Sequence, residues 1–220
     1  MTVVRFVAVP DSRGPDAGPA AGPAPRWMTA AEAVRRERIA RAADRAAYDA
    51  AHLLVRECAG ELLGCDARDL ALAQLCSACG GDTHGAPRIV GSPVRVSLSH
   101  TRGCVAAVAS WSRCGIDVER VGAPVMRRAL TDDEARWVAA QRSPGDAFVM
   151  LWTRKEALVK AGLGALERVH LLDALRPVAG ARIGDWRGGG ADGGVYGSWC
   201  VLDERLSAAS ASGSAPRHHA

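Results

Sequence analysis

The chain is poor in aromatic side chains, 5% of 220 residues, so its core must rest on Ala, Val and Leu. The same shortage counts against a single-strand nucleic-acid binder, which needs aromatic platforms for base stacking. No apolar run reaches the roughly 20 residues of a membrane span, which leaves no expectation of membrane insertion. The opening MTVVRFVAVPDS is interrupted too early for a signal peptide, and the cysteines are odd in number: Cys58, Cys65, Cys76, Cys79, Cys104, Cys114 and Cys200. That combination argues against a disulfide framework and for a cytoplasmic protein. A Walker-type phosphate loop, a G-x-S-x-G elbow and an H-E-x-x-H pair are all missing, which removes the commonest nucleotide, serine-hydrolase and zinc-protease readings.

What is present supports a folded domain or two small halves. Hydrophobic residues make up 48%, and the formal net charge of +4 suits acidic partners or polyanionic ligands. Residues 2–9 read as a strand. Residues 10–25 are dense in Pro and Gly and read as a flexible loop. One long helix is expected over about 29–63, with Arg38, Arg41 and Arg45 on a shared face. Residues 76–93 read as a loop or knuckle. VRVSLSH (94–100) alternates like a half-buried strand, with Val94, Val96 and Leu98 on one side. CVAAVASW (104–111) and GIDVE (115–119) read as further strands. The box Thr131-Asp-Asp-Glu134 starts a helix to about Arg142, and Ser143-Pro144 starts another that stops at Gly162. Residues 163–220 are poorly patterned, and no repeat is evident at the residue level.

Three places suit chemistry. Asp117 and Glu119 are two apart on a strand, so both carboxylates share a face while Ile116 and Val118 enter the core. A converging acid pair is what Mg²⁺ takes, with water and phosphate oxygens filling its octahedron; a plain solvated strand face is the competing reading. Trp152, Glu156 and Lys160 follow at i, i+4, i+8 along one helix edge, where a surface Glu–Lys pair is the simpler alternative. His100 ends its strand on the apolar side, where a packed histidine is commoner than a ligand. Separately, Cys76-x-x-Cys79 with His84 has the flavour of a zinc knuckle, with Cys65 or His52 as a fourth ligand.

In order, SLSHT (97–101), GIDVE (115–119) and WTRKEALVKA (152–161) resemble the signature of the phosphopantetheinyl transferase superfamily, in its larger monomeric, surfactin-synthetase-activating class. The resemblance covers roughly residues 30–165. It implies an α+β pseudo-dimer of two similar halves, 1–112 and 113–206, with the active site in the cleft between them and a disordered tail at 207–220. It implies transfer of 4′-phosphopantetheine from coenzyme A to a serine of an acyl or peptidyl carrier protein, with Mg²⁺ as cofactor and adenosine 3′,5′-bisphosphate released. Asp117, Glu119 and Glu156 match the metal ligands, and Glu156 and Lys160 the catalytic pair. His100 matches a coenzyme A phosphate contact, and Ser99 beside it and Lys155 join the coenzyme A residues. Arg38, Arg41 and Arg45 are assigned to the 3′-phosphate by their helical face. Ala86 and Ala47 stand where the family has basic residues, which implies weaker coenzyme A binding. The closing strand of the family is replaced by SAASASGSAPRHHA, which implies a smaller or looser second half. Competing readings are a non-catalytic carrier-binding relative, another Mg²⁺-dependent phosphotransferase, and a zinc-knuckle nucleic-acid module.

Overall fold

A computed structural model describes residues 1–9, 22–76, 80–81, 85–188 and 194–203. The expected loop over 10–25 lies mostly outside these residues, as do Cys79, His84 and the tail. The fold is α+β, with two antiparallel sheets and helices on their outer faces.

The first sheet has the order β1-β5-β4-β3-β2, from β1 (Thr2–Ala8), β2 (Leu72–Leu75), β3 (Ala86–Ile89), β4 (Arg95–Thr101) and β5 (Cys104–Ser110). Two helices, α1 (Ala30–Glu37) and α2 (Ala42–Leu63), stand where one was expected. Arg38 ends α1 and Arg41 is the extended N-cap of α2, so both leave the helix. Arg45 turns back on the break, its Nη1 donating to the carbonyls of Ile39 at 2.5 Å and Ala40 at 3.1 Å. The three arginines therefore form no helical face. Residues 76–93, expected as loop, contribute β3, which pairs with β2.

The second sheet has the order β6-β8-β7, from β6 (Cys114–Arg120), β7 (Ala181–Gly188) and β8 (Val195–Leu202). Between β6 and β7 lie α3 (Asp132–Ala139) and α4 (Pro144–Lys160). The hairpin of β7 and β8 falls in the segment that looked unpatterned. The reason is glycine used for close approach rather than for turns. A Cβ at Gly184 would lie 2.4 Å from the Trp199 ring, and one at Gly197 would lie 2.2 Å from Phe6 Cε1.

Alternation along β5 stacks the layers. Val105, Ala107 and Ala109 join the core beneath α2, with Leu54, Val55 and Cys58. Cys104, Ala106 and Val108 join the opposite core, with Ile116 and Val118 of β6 and Val201 of β8. The sheets thus meet face to face, and Phe6 stacks on Trp186 with ring centroids 4.6 Å apart. Their outer faces carry α2 and α4. A Cβ at Gly115 would meet the Ala157 carbonyl at 2.0 Å, so this glycine is what lets α4 lie directly on β6.

Each short helix opens with a capping box. Thr29 and Glu32 exchange cap bonds on α1, and Thr131 and Glu134 do so on α3. Ser143, by contrast, starts α4 without a side-chain cap bond.

Candidate functional site

The acids of β6 sit where the sheet edge faces both α4 and β4. Period two sends Asp117 and Glu119 to the side of Gly115, under the helix that Gly115 admits. On α4, a spacing of four brings Trp152, Glu156 and Lys160 onto one edge. The two sets meet in a cleft of about 390 Å³, closed on the other side by Leu98, Ser99 and His100 of β4. Residues from both sheets therefore line one opening.

Asp117 is 4% exposed and is held at a single oxygen. Its Oδ1 accepts from Ser99 Oγ at 2.8 Å and from Lys160 Nζ at 2.7 Å. Its Oδ2 is buried with no hydrogen-bond partner. Glu119 Oε2 accepts from Thr101 Oγ1 at 3.5 Å. Burial, and then the nearby Asp117 charge, push the Glu119 and Glu156 carboxyls above the usual carboxylate range, with Lys160 acting the other way. Three acids against one ammonium leave the cleft short of positive charge. Among the described residues no group of three or more His, Cys, Asp or Glu side chains is already drawn together as a metal centre.

His100, the residue before the end of β4, is exposed at the cleft. Partial loss of water, then the neighbouring His52 and Lys160, hold its imidazole below the ordinary histidine value. It lies on the α2 side of the strand, as the Val94, Val96, Leu98 register implies.

Lys155 is not in the cleft. It is fully buried, with Nζ 2.6 Å from Glu134 Oε2 and donating to the carbonyls of Ala129 at 2.7 Å and Val169 at 3.1 Å. One residue along a helix is a turn of about 100°, so the neighbour of a cleft-facing Glu156 must point elsewhere. Lys155, expected among the coenzyme A residues, stands instead in a buried ion pair outside the cleft lining. Arg38 and Arg45, displaced by the helix break, are likewise absent from the lining of the cleft.

Of the knuckle residues only Cys76, Cys65 and His52 are described, and His52 is committed elsewhere: its Nδ1 lies 2.7 Å from Glu32 Oε1. Among the described residues Cys58, Cys65, Cys104, Cys114 and Cys200 are free thiols. No described helix is long and apolar enough to cross a membrane.

Sequence reasoning missed the ties from Ser99 to Asp117 and from Thr101 to Glu119. The signal was present in the matched period-two spacing of S-x-S-x-T (97–101) and G-x-D-x-E (115–119).

Residues 113–196 match the family model of the 4′-phosphopantetheinyl transferase superfamily. The matched span holds Asp117, Glu119, Glu156 and Lys160, while Ser99 and His100 precede it. The search of curated proteins found no match to this chain.

Proposed function

We propose that the protein is a Mg²⁺-dependent 4′-phosphopantetheinyl transferase, taking coenzyme A and a carrier-protein serine as substrates. One observation supports this reading above the rest. The stretch that matches the superfamily carries three acids and a lysine converging on a cleft, with an unpartnered buried carboxylate oxygen among them.

The residues fit a hard divalent cation. Asp117 Oδ2 is a buried acceptor lacking a donor, and Glu119 and Glu156 line the same opening. Mg²⁺ characteristically uses one or two carboxylates and leaves its other positions to water and phosphate, so a closed protein cage is not required. Bound there by Asp117, Glu119 and Glu156, Mg²⁺ would neutralise the pyrophosphate of coenzyme A and act as a Lewis acid.

The chain's own side chains then have distinct tasks. Glu156 accepts the proton of the incoming serine hydroxyl. The serine oxygen bonds to the phosphorus that carries pantetheine, and the bond from that phosphorus to the bridging oxygen breaks, releasing adenosine 3′,5′-bisphosphate. Lys160, on the same helix edge one turn on, offsets charge on that leaving group. His100 at the mouth contacts a coenzyme A phosphate. Such displacements depend on positioning and charge neutralisation more than on covalent catalysis.

The test is intact-mass spectrometry of apo acyl and peptidyl carrier proteins incubated with the protein, coenzyme A and Mg²⁺. A gain of one phosphopantetheine on the carrier serine, lost with EDTA, is the expected result. A folded protein that binds carriers yet transfers nothing would replace this reading with the non-catalytic one.

A further inference from the structure

The junction between the sheets is built from hydroxyls in a regular row. Ser97, Ser99 and Thr101 alternate along one face of β4, and Ser97 and Ser99 are buried. The edge of β6 runs beside them. Ser97 Oγ accepts the Ile116 N–H at 3.3 Å, and Ser99 Oγ accepts the Val118 N–H at 3.4 Å. These two backbone donors lie on the free edge of the second sheet, where a buried N–H must find an acceptor. The same row reaches the acids, Ser99 to Asp117 and Thr101 to Glu119, each eighteen residues on. Both strands advance about 6.6 Å per two residues, so the row of hydroxyls keeps step with the carboxylates.

Resting on the Mg²⁺ reading above, we propose that Ser99 and Thr101 are positioning residues for the metal-binding acids, rather than contacts for coenzyme A. The single hydroxyl proton of Ser99 is committed to Asp117 Oδ1, and its oxygen is engaged by Val118 N–H. Lys160 takes the same Oδ1. With that oxygen doubly held, the carboxylate offers Oδ2 alone, as a one-oxygen ligand of fixed direction. Thr101 performs the same task for Glu119 through a longer bond, at a strand end that is only half-buried. Partners that orient a ligand in this way typically change metal affinity by about 10–100-fold when removed.

The experiment uses Mn²⁺ as a paramagnetic probe in place of Mg²⁺. Mn²⁺ binding to the full chain is followed by electron paramagnetic resonance, and coenzyme A binding is measured separately by calorimetry in EDTA. Ser99→Ala is expected to weaken Mn²⁺ about 10-fold, leaving metal-free coenzyme A affinity within twofold. Thr101→Val, which removes only the hydroxyl function, is expected to weaken Mn²⁺ measurably but less than Ser99→Ala does, the bond being longer, and Thr101→Ser to restore it. The threonine pair carries the test should Ser99→Ala unfold. Normal Mn²⁺ affinity in both Ser99→Ala and Thr101→Val, or a loss confined to coenzyme A, overturns the positioning role alone. A wild-type protein that binds coenzyme A but no Mn²⁺ at millimolar concentration overturns the metal reading on which it rests.

Discussion

The two halves pass through one order of elements: a strand, a short capped helix, a long helix and a closing hairpin, with β2 and β3 added in the first. In each, the third residue of the short helix is a glutamate that caps its own N-terminus and is fully buried, Glu32 in one half and Glu134 in the other. In each, the long helix answers with a fully buried cation. Arg56 Nη2 lies 2.6 Å from Glu32 Oε2, and Lys155 Nζ lies 2.6 Å from Glu134 Oε2. The residue after the cation is glutamate in both, Glu57 and Glu156. Five residues after the cation stand Glu61 and Lys160. There the halves part. Glu57 and Glu61 are exposed and pair with Arg5 on β1. Glu156 and Lys160 face the acids of β6 across a cleft. The strand carries a cation under acids in the first half, and acids under a mixed helix edge in the second. The buried pair builds the scaffold both times; the next residue meets Arg5 in the first half and lines the cleft in the second.

The sharpest way to break this parallel is to neutralise the paired glutamates. Glu156→Gln is expected to lower carrier modification by at least about 100-fold, the scale of a lost general base. Glu57→Gln should leave it within twofold, since it loses only an exposed ion pair. Initial rates on one carrier protein measure both, and a comparable loss from the two would end the distinction.

The buried cations come next. Arg56→Met and Lys155→Met each leave a buried glutamate without its ion-pair partner, and each is expected to cost roughly 3–5 kcal/mol in chemical denaturation. A loss of activity without loss of stability in Lys155→Met would return that lysine to the site.

The acid limb is the finest test. Burial alone would raise Glu32, but hydrogen bonds from His52, Arg56 and the Thr29 backbone outweigh it and hold the carboxyl at about 2, from an ordinary 4.5. A folded pKa below the unfolded one means stability that is present above pH 4.5 and drains away as pH falls toward 2. Stability at neutral pH should exceed that at pH 2 by about 3 kcal/mol from this group. Glu32→Gln should remove that slope from the acid unfolding curve.

The sequence made the second half's cleft-lining residues legible and its scaffold only partly so. Asp117, Glu119, Glu156 and Lys160 could be placed because strand and helix periods are local. The box at Thr131 was readable, whereas the same T-x-x-E spelling at Thr29 was absorbed into a single long helix. Nothing in Arg38-Ile-Ala-Arg41 is a helix breaker, and the freed carbonyls of Ile39 and Ala40 are taken up by Arg45 from the next helix. The resemblance gives Lys155 to coenzyme A, and nothing local reveals its buried partner twenty-one positions away. The hairpin β7–β8 hid behind glycines whose purpose, making room for Trp199 and Phe6, exists only once the sheets have met.

Lysine occurs only twice in this chain, at 155 and 160; every other permanently cationic side chain is arginine. Lys155 is sealed in the core, and the side chain of Lys160 keeps 31% of its surface. An amine-selective reagent therefore meets one side-chain nucleophile and one terminal amine. With no engineering, a succinimidyl dye or crosslinker has a single internal address, at the wall of the cleft, from which arriving ligands can be reported and neighbouring proteins captured.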